Sequence, residues 1–176
     1  MGRLPLWGLF AAGTTLGGGA TGVVVAVLAG LVSAVPASVR WWGLVAVVVT
    51  LVVLDLVQPS LRLPQRTTLI PQDVFARGLR RGILRFGLEY GTGVRTLIPS
   101  AAPWIVLATL VAWNPAWWLT VAAGLGFGFA RSLAILQFVL LGADGWQGFL
   151  AGHSRLLERA GTVTAAAACL AAVVRL

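Results

Sequence analysis

One charged residue, Arg131, lies inside a long apolar segment of this sequence, where its charge could bind an anion. It follows the pattern Gly124-x-Gly126-x-Gly128 and comes fifteen residues after Ala116, which is roughly 22 Å of helix rise. A charge at that depth in a membrane-spanning helix marks a site or a transport pathway by default. The alternative is that Arg131 lies near the membrane surface and extends its side chain to water.

A second candidate site lies between residues 89 and 103. The stretch from Gly91 to Pro103 holds two glycines and two prolines, Pro99 and Pro103, directly before the apolar segment that begins at Trp104. This composition predicts a broken helix at membrane depth. The backbone N–H and C=O groups that such a break exposes often build a binding site.

Three charged side chains could serve this site. Arg95 and Arg131 could bind an anionic group, and Glu89 could pair with either arginine or relay a proton. The simpler interpretation is that Glu89 pairs with Arg85 four residues earlier, a common arrangement on helices. Arg95 would then be one more basic anchor on the inner face of the membrane.

Redox and metal chemistry have few candidate residues. The single cysteine, Cys169, lies in an Ala-rich apolar run, which is typical of a small buried side chain. The single histidine, His153, follows Gly152 in a polar segment and has no neighbouring metal-ligand pattern. We therefore expect no metal, no cofactor and no catalytic residue.

The composition indicates the environment in which these residues work. Of the 176 residues, 59% are hydrophobic and 10% are charged, and the mean hydropathy is +0.92. A soluble domain is about 45–50% apolar and about 25% charged, so the sequence predicts an integral membrane protein. All thirteen basic residues are Arg, giving a net charge of +8. We interpret this charge as contact with anionic lipid, not nucleic acid.

Hydrophobic segments predict an all-α, polytopic membrane helix bundle. A bilayer span needs about 20 apolar residues, and we predict five spans, at about 6–35, 41–57, 99–113, 116–141 and 160–175. The first contains Gly13-x-x-x-Gly17 and Gly18-x-x-x-Gly22, which allow close packing against another helix. Residues 59–98 form a basic loop, in which Pro71-Gln72-Asp73 predicts the start of a helix. From Val74 on, apolar residues recur every three to four positions. This predicts an amphipathic helix on the membrane surface or leading into a span.

Arginine positions predict the orientation of the chain. With the N-terminus inside, ten arginines fall on the inner side, Arg40 and Arg175 fall outside, and Arg131 falls within the membrane. Basic residues concentrate on the cytoplasmic side of membrane proteins. We therefore predict a protein of the cell membrane, in a bacterium, with a cytoplasmic N-terminus and an external C-terminus.

Three segments give the sequence a resemblance to a known family. These are Phe86 to Gly93, the Pro99 and Pro103 break, and Gly124 to Arg131. The layout resembles the CcdA/DsbD family of thiol–disulfide electron carriers, within the LysE-type transporter superfamily. That family uses a Cys–Pro element in its broken helix, whereas this break offers only Thr96, Ile98 and Ser100. Disulfide exchange needs thiolates, so the resemblance implies the fold and the location without the dithiol chemistry.

Three functional hypotheses follow. The first is a small transporter, or an accessory subunit working with a partner membrane protein. The second is an assembly subunit or homo-oligomer, in which the small-residue stripes of two spans pack against another membrane protein. The third is a redox-linked component in which Cys169 reacts with a cysteine of a partner. In all three, the lipid bilayer is the surrounding medium.

Overall fold

The computed structural model describes residues 3–57, 75–76, 78–93 and 100–174 of the chain. Their regular structure is helical, and no strand occurs among them. The helices are α1 (Arg3–Val32), α2 (Ala37–Val57), α3 (Leu79–Gly91), α4 (Ala102–Trp113) and α5 (Trp117–Val174). The predicted all-α class is therefore confirmed.

Local backbone chemistry sets several of the helix boundaries. α4 ends at Asn114, which adopts a left-handed conformation (φ 52°, ψ 57°) and precedes Pro115. Asn tolerates this conformation, and Pro cannot continue a helix. α5 is interrupted at Gly142, whose φ of 75° and ψ of 173° are not helical. α5 is thus two helical segments, 117–141 and 143–174.

Five separate membrane-spanning helices, as the sequence predicts, are not found among the described residues. Among the described residues, three helical segments are long and apolar enough to cross a membrane: Leu4–Val32, Ala37–Asp55 and Trp117–Gly142. The predicted span at 99–113 corresponds to α4, which has only 12 residues, or roughly 18 Å of rise against about 30 Å of hydrocarbon. The predicted span at 160–175 is the apolar end of the second segment of α5, and that segment also carries polar residues.

The described residues form two compact units. Unit 1 contains α1 up to Val24, α3, and α5 from Trp118 to Gly152. Unit 2 contains the end of α1 from Val25, α2, α4, and α5 from His153. The core of unit 2 is an apolar cluster made by α2, α4 and the end of α5. Its buried members are Leu44, Val48, Ala101, Ile105, Ala112 and Cys169.

The predicted amphipathic helix exists as α3, but it packs on protein. Gly78 (φ 100°) precedes its start at Leu79, and the start predicted at Pro71 lies outside the described residues. Phe86 and Tyr90 on the apolar face of α3 contact Phe10 of α1. The ring centroid of Phe10 is 5.9 Å from that of Phe86 and 5.6 Å from that of Tyr90. Part of the apolar face assigned to lipid therefore covers α1.

Candidate functional site

α1 lies between two other helices in unit 1, and glycines make both contacts close. A Cβ on Gly13 or Gly17 would collide with the backbone of α3 near Leu84 and Leu88. A Cβ on Gly18 or Gly22 would collide with the backbone of α5. The two Gly-x-x-x-Gly motifs thus serve different neighbours, one facing α3 and the other facing α5.

The order of the contacts gives the helix directions. Gly13 of α1 meets Leu84 of α3, and Gly17 meets Leu88, four residues further along both helices, so these helices are parallel. Gly22 meets Thr120, whereas Gly18 meets Gly124 further along α5, so α1 and α5 are antiparallel. Six glycines of the predicted small-residue stripes therefore contact helices of this chain, namely Gly13, Gly17, Gly18, Gly22, Gly124 and Gly128. The assembly hypothesis itself stays a prediction.

Thr14 is the point at which the three helices of unit 1 meet. Its side chain is fully buried and donates a hydrogen bond to the Ala11 carbonyl oxygen at 2.9 Å. A Cβ on Gly91 of α3 or on Gly128 of α5 would collide with the Thr14 carbonyl oxygen. The Cα–H groups of Gly91 and Gly128 therefore point at this oxygen, one from α3 and the other from α5. Weak Cα–H···O hydrogen bonds of this kind recur where helices pack closely.

Two further hydrogen bonds fix the register of unit 1. Trp7 of α1 donates from Nε1 to the Ser132 carbonyl oxygen of α5 at 3.0 Å. Thr21 of α1 donates to the Thr92 carbonyl oxygen, just past the end of α3, at 2.9 Å. Thr21 thus pairs a carbonyl at the end of α3, and Trp7 pairs its own indole N–H with a carbonyl of α5. Leaving a polar group unpaired in an apolar environment costs free energy.

Arg131, the leading candidate from the sequence, lies beside the C-terminal end of α3. Its guanidinium carbon is 4.2 Å from the centroid of the Tyr90 ring and 5.4 Å from that of Phe127. Its Nη1 is 3.6 Å from the position that a Cβ on Gly93 would occupy. Aromatic faces attract cations, and the C-terminus of a helix carries partial negative charge. Arg131 of α5 thus interacts with α3 through the Tyr90 ring and through the partial negative charge at the C-terminal end of that helix.

Glu89 forms the local ion pair of the simpler interpretation. Arg85 Nε lies 3.3 Å from Glu89 Oε1, and the Arg85 side chain is mostly exposed. The prediction that Glu89 pairs with Arg85 is confirmed. The Arg85 side chain is 60% exposed and that of Glu89 is 16% exposed, and a helix pair with four-residue spacing contributes about 0.3–0.5 kcal/mol.

The other predicted site residues belong to a different unit or lie outside the described part of the chain. Pro103 belongs to unit 2, in the first turn of α4. Arg95 and Pro99 lie outside the described residues. The break itself is present, since α3 ends at Gly91 and α4 begins at Ala102. Among the five candidates, only Arg131 and Glu89 therefore belong to one described unit.

Arg40 is an interacting residue that sequence analysis placed only as an external charge. Its Nη1 donates to the Ala112 carbonyl oxygen at 2.9 Å, one residue before α4 ends. An arginine at a helix C-terminus satisfies a carbonyl and complements the helix dipole. The short helices α3 and α4 thus share a feature: each has an arginine from a longer helix at its C-terminal end. No local spacing signals such a pairing, because the partners are 72 residues apart.

Unit 2 contains a second polar contact between distant residues. Thr162 of α5 is fully buried and donates to a carboxylate oxygen of Asp55, near the end of α2. Cys169, two turns further along α5, is buried among apolar side chains and is not in a disulfide. The interpretation of Cys169 as a small buried side chain is confirmed. In the described part of the chain, His, Cys, Asp and Glu form no cluster of three or more that could hold a metal.

No protein-family model, curated protein or solved structure matches this chain significantly. The resemblance to the CcdA/DsbD family accordingly stays a prediction from the sequence. The described residues form one unit of three helices packed through glycines and a second unit with an apolar core. Three helical segments among them are long and apolar enough to cross a membrane.

Proposed function

We propose that this chain is an integral protein of the cell membrane that works as a non-enzymatic accessory subunit beside a partner membrane protein or a second copy of itself. The observation that carries this proposal is the exposure of its apolar helices. In the most apolar stretches of α2 and of the first segment of α5, only 11% of the residues are buried within the chain. So much exposed apolar surface must be covered by lipid or by another membrane protein.

The use of the polar residues supports the same proposal. Arg131 and Arg40 lie at helix C-termini, Glu89 pairs with Arg85, and Thr14 joins three helices. These groups hold the chain together. A transport pathway needs polar groups that face a path for the solute, so their engagement in helix packing favours a supporting role.

A face of α2 is the surface we assign to the partner. Trp42, Ala46, Val49 and Val53 follow one another at three to four residues and are all exposed. The opposite face carries Leu44 and Val48, which are buried in the core of unit 2. An exposed apolar row along a whole helix is the form that helix–helix docking takes within a membrane.

A photo-crosslinking amino acid at Val49 should form a discrete adduct with one membrane protein or with a second copy of the chain. Leu16 on α1 is the matched control, because it is 58% exposed against 56% for Val49 and lies on a helix already packed on two sides. The adducts are read by mass spectrometry after mild detergent extraction. Equal adducts from both positions, or lipid adducts alone, would contradict the proposal.

We also infer the crossing pattern of the chain. α1 and α2 are joined by a short turn, so as spans they run in opposite directions, and α5 begins on the side where α1 ends because the two are antiparallel. The chain must therefore recross the membrane between α2 and α5. α3 runs parallel to α1, and α4 runs against α2, as the bond from Arg40 to Ala112 requires.

This pattern keeps the N-terminus inside and the C-terminus outside. Asp55, near the end of α2, meets Thr162, and Leu44, in the first half of α2, belongs to the same apolar cluster as Cys169. The end of α5 therefore runs against α2, towards the outer side. Most arginines then lie on the inner side, as the charge rule for membrane proteins requires.

Cysteine labelling of intact cells should distinguish the two sides of this pattern. A Ser38→Cys variant, in the exposed first turn of α2, should react with a membrane-impermeant maleimide. A Gly148→Cys variant, exposed after the Gly142 break, should react only after permeabilisation. The unmodified chain is the background control, since Cys169 is 4% exposed. Labelling of both variants from outside would refute the pattern.

A small transporter is the second candidate function. It is favoured by one observation, a charged residue, Arg131, inside a segment suited to span the membrane. Reaction of Cys169 with a partner's cysteine, the third hypothesis, would require the core of unit 2 to open around Leu44 and Ile105. A buried thiol in apolar surroundings is a poor nucleophile.

A further inference from the structure

α3 has a second face, beside the one that packs on α1, whose side chains no other described helix covers. Five side chains on this face are exposed: Arg80, Arg81, Leu84, Arg85 and Leu88. The two leucines are 37% and 42% exposed, respectively. Gly87 and Gly91 of α3 lie against α1, whereas the five side chains stay exposed after the helix has packed, and we call them the outer face of α3.

The charge on this face is not neutralised by the protein that the structure describes. The acid in the sequence of α3 is Glu89, and it is paired with Arg85. Within residues 78–93 and 100–174 and the described N-terminal helices, no carboxylate lies within ion-pair distance of Arg80 or Arg81. Two neighbouring guanidinium groups therefore present a positive surface at the start of α3.

The order of residues along α3 matches the depth profile of one membrane leaflet. α3 packs lengthwise on α1, a membrane-span candidate, with Leu84 level with Gly13 and Leu88 level with Gly17. Its 13 residues rise roughly 20 Å. The two arginines come first, near the N-terminal end of α1, and the two leucines follow, towards the middle of α1. Charge at headgroup depth and apolar side chains beyond it correspond to a phospholipid.

We propose that the outer face of α3 binds an anionic phospholipid of the inner leaflet, with Arg80 and Arg81 on the phosphate and Leu84 and Leu88 on the acyl chain. Guanidinium groups bind phosphate oxygens through paired N–H donors. The apolar stems of arginine side chains can also lie along the hydrocarbon at the membrane interface while the charged groups stay in water. The inference rests on the membrane placement proposed above and does not require the partner subunit.

The test uses the full chain purified in mild detergent, without any partner protein. Phosphatidylglycerol and phosphatidylcholine are titrated separately, and bound lipid is measured by native mass spectrometry alongside thermal unfolding. The R80Q/R81Q double variant is compared with R155Q/R159Q, which removes two exposed arginines from α5. Both double variants leave the Arg85 and Glu89 pair intact.

Phosphatidylglycerol should bind more tightly than phosphatidylcholine, and R80Q/R81Q should weaken that preference by roughly tenfold to thirtyfold, since each arginine near an anionic membrane surface contributes about 1 kcal/mol. R155Q/R159Q should keep most of the preference. Equal losses in both double variants would show a general charge effect and overturn the proposal. So would an equal response to inorganic phosphate, or no preference between the two lipids. A failed crosslink at Val49 would leave this result unaffected, so the two proposals fail separately.

Discussion

Replacing Gly128 with Ala should destabilise the protein, whereas the same replacement two residues earlier, at Gly126, should stabilise it. A Cβ on Gly128 would collide with the Thr14 carbonyl oxygen and would lie 2.8 Å from the Thr14 carbonyl carbon and 3.1 Å from the Thr15 Cα. Those atoms are backbone, so α1 and α5 would have to separate. Overpacking of this kind costs about 1–3 kcal/mol and sometimes more.

Gly126 is a matched control on the same helix. It is exposed, and a Cβ there would meet nothing within 4 Å. Ala in a helix is favoured over Gly by about 0.5–1 kcal/mol, so the Gly126→Ala variant should unfold roughly 1–4 °C higher. Gly128→Ala should unfold about 2–12 °C lower. Thermal unfolding in detergent, followed by tryptophan fluorescence, measures both; shifts of the same sign would contradict the glycine contact between α1 and α5.

Removal of the Arg131 charge should also lower stability, and the loss should depend on Tyr90. In Arg131→Met, the attraction of the guanidinium to the Tyr90 ring is lost together with its favourable position at the end of α3. A partly desolvated cation–π contact contributes about 1–2 kcal/mol, and a charge at a helix terminus about 0.3–1. We expect a total loss of about 1–3 kcal/mol.

A double-mutant cycle identifies the source of that loss. If the ring contact carries it, Tyr90→Leu should remove part of the same energy, and the double variant should lose about 1 kcal/mol less than the sum of the single variants. Tyr90→Phe keeps an aromatic ring and is the control. Strictly additive losses would show that the ring contact contributes nothing. A loss of solute uptake in Arg131→Met at unchanged stability would favour the transporter.

Local features of this protein could be predicted from its sequence, whereas contacts between distant residues could not. The Arg85 and Glu89 pair was predictable because residues four apart on a helix are neighbours whatever else the chain does. The shortness of α4 was partly visible in Pro103 and Pro115. We nevertheless overestimated the spans, because an apolar run shows that a segment avoids water and does not show that it crosses the membrane alone.

Long-range contacts could not be predicted in the same way. Gly126 and Gly128 are equivalent in the sequence pattern, yet one faces open space and the other faces the Thr14 carbonyl oxygen. That difference depends on the rotation and register of α5 against α1. The position of Arg131 beside Tyr90, and that of Arg40 beside Ala112, depend on the same kind of pairing between helices.

The sequence by itself determined the helical class, the membrane character and the break between residues 91 and 102, because composition and periodicity act on each segment separately. Only the tertiary structure decided which glycines are contact points and which arginines stabilise helix ends. Every residue has a backbone carbonyl and all glycines are chemically alike, so the sequence pattern does not show which of them makes a contact. Their partners are defined only when two helices, here α1 and α5, lie against each other in one register.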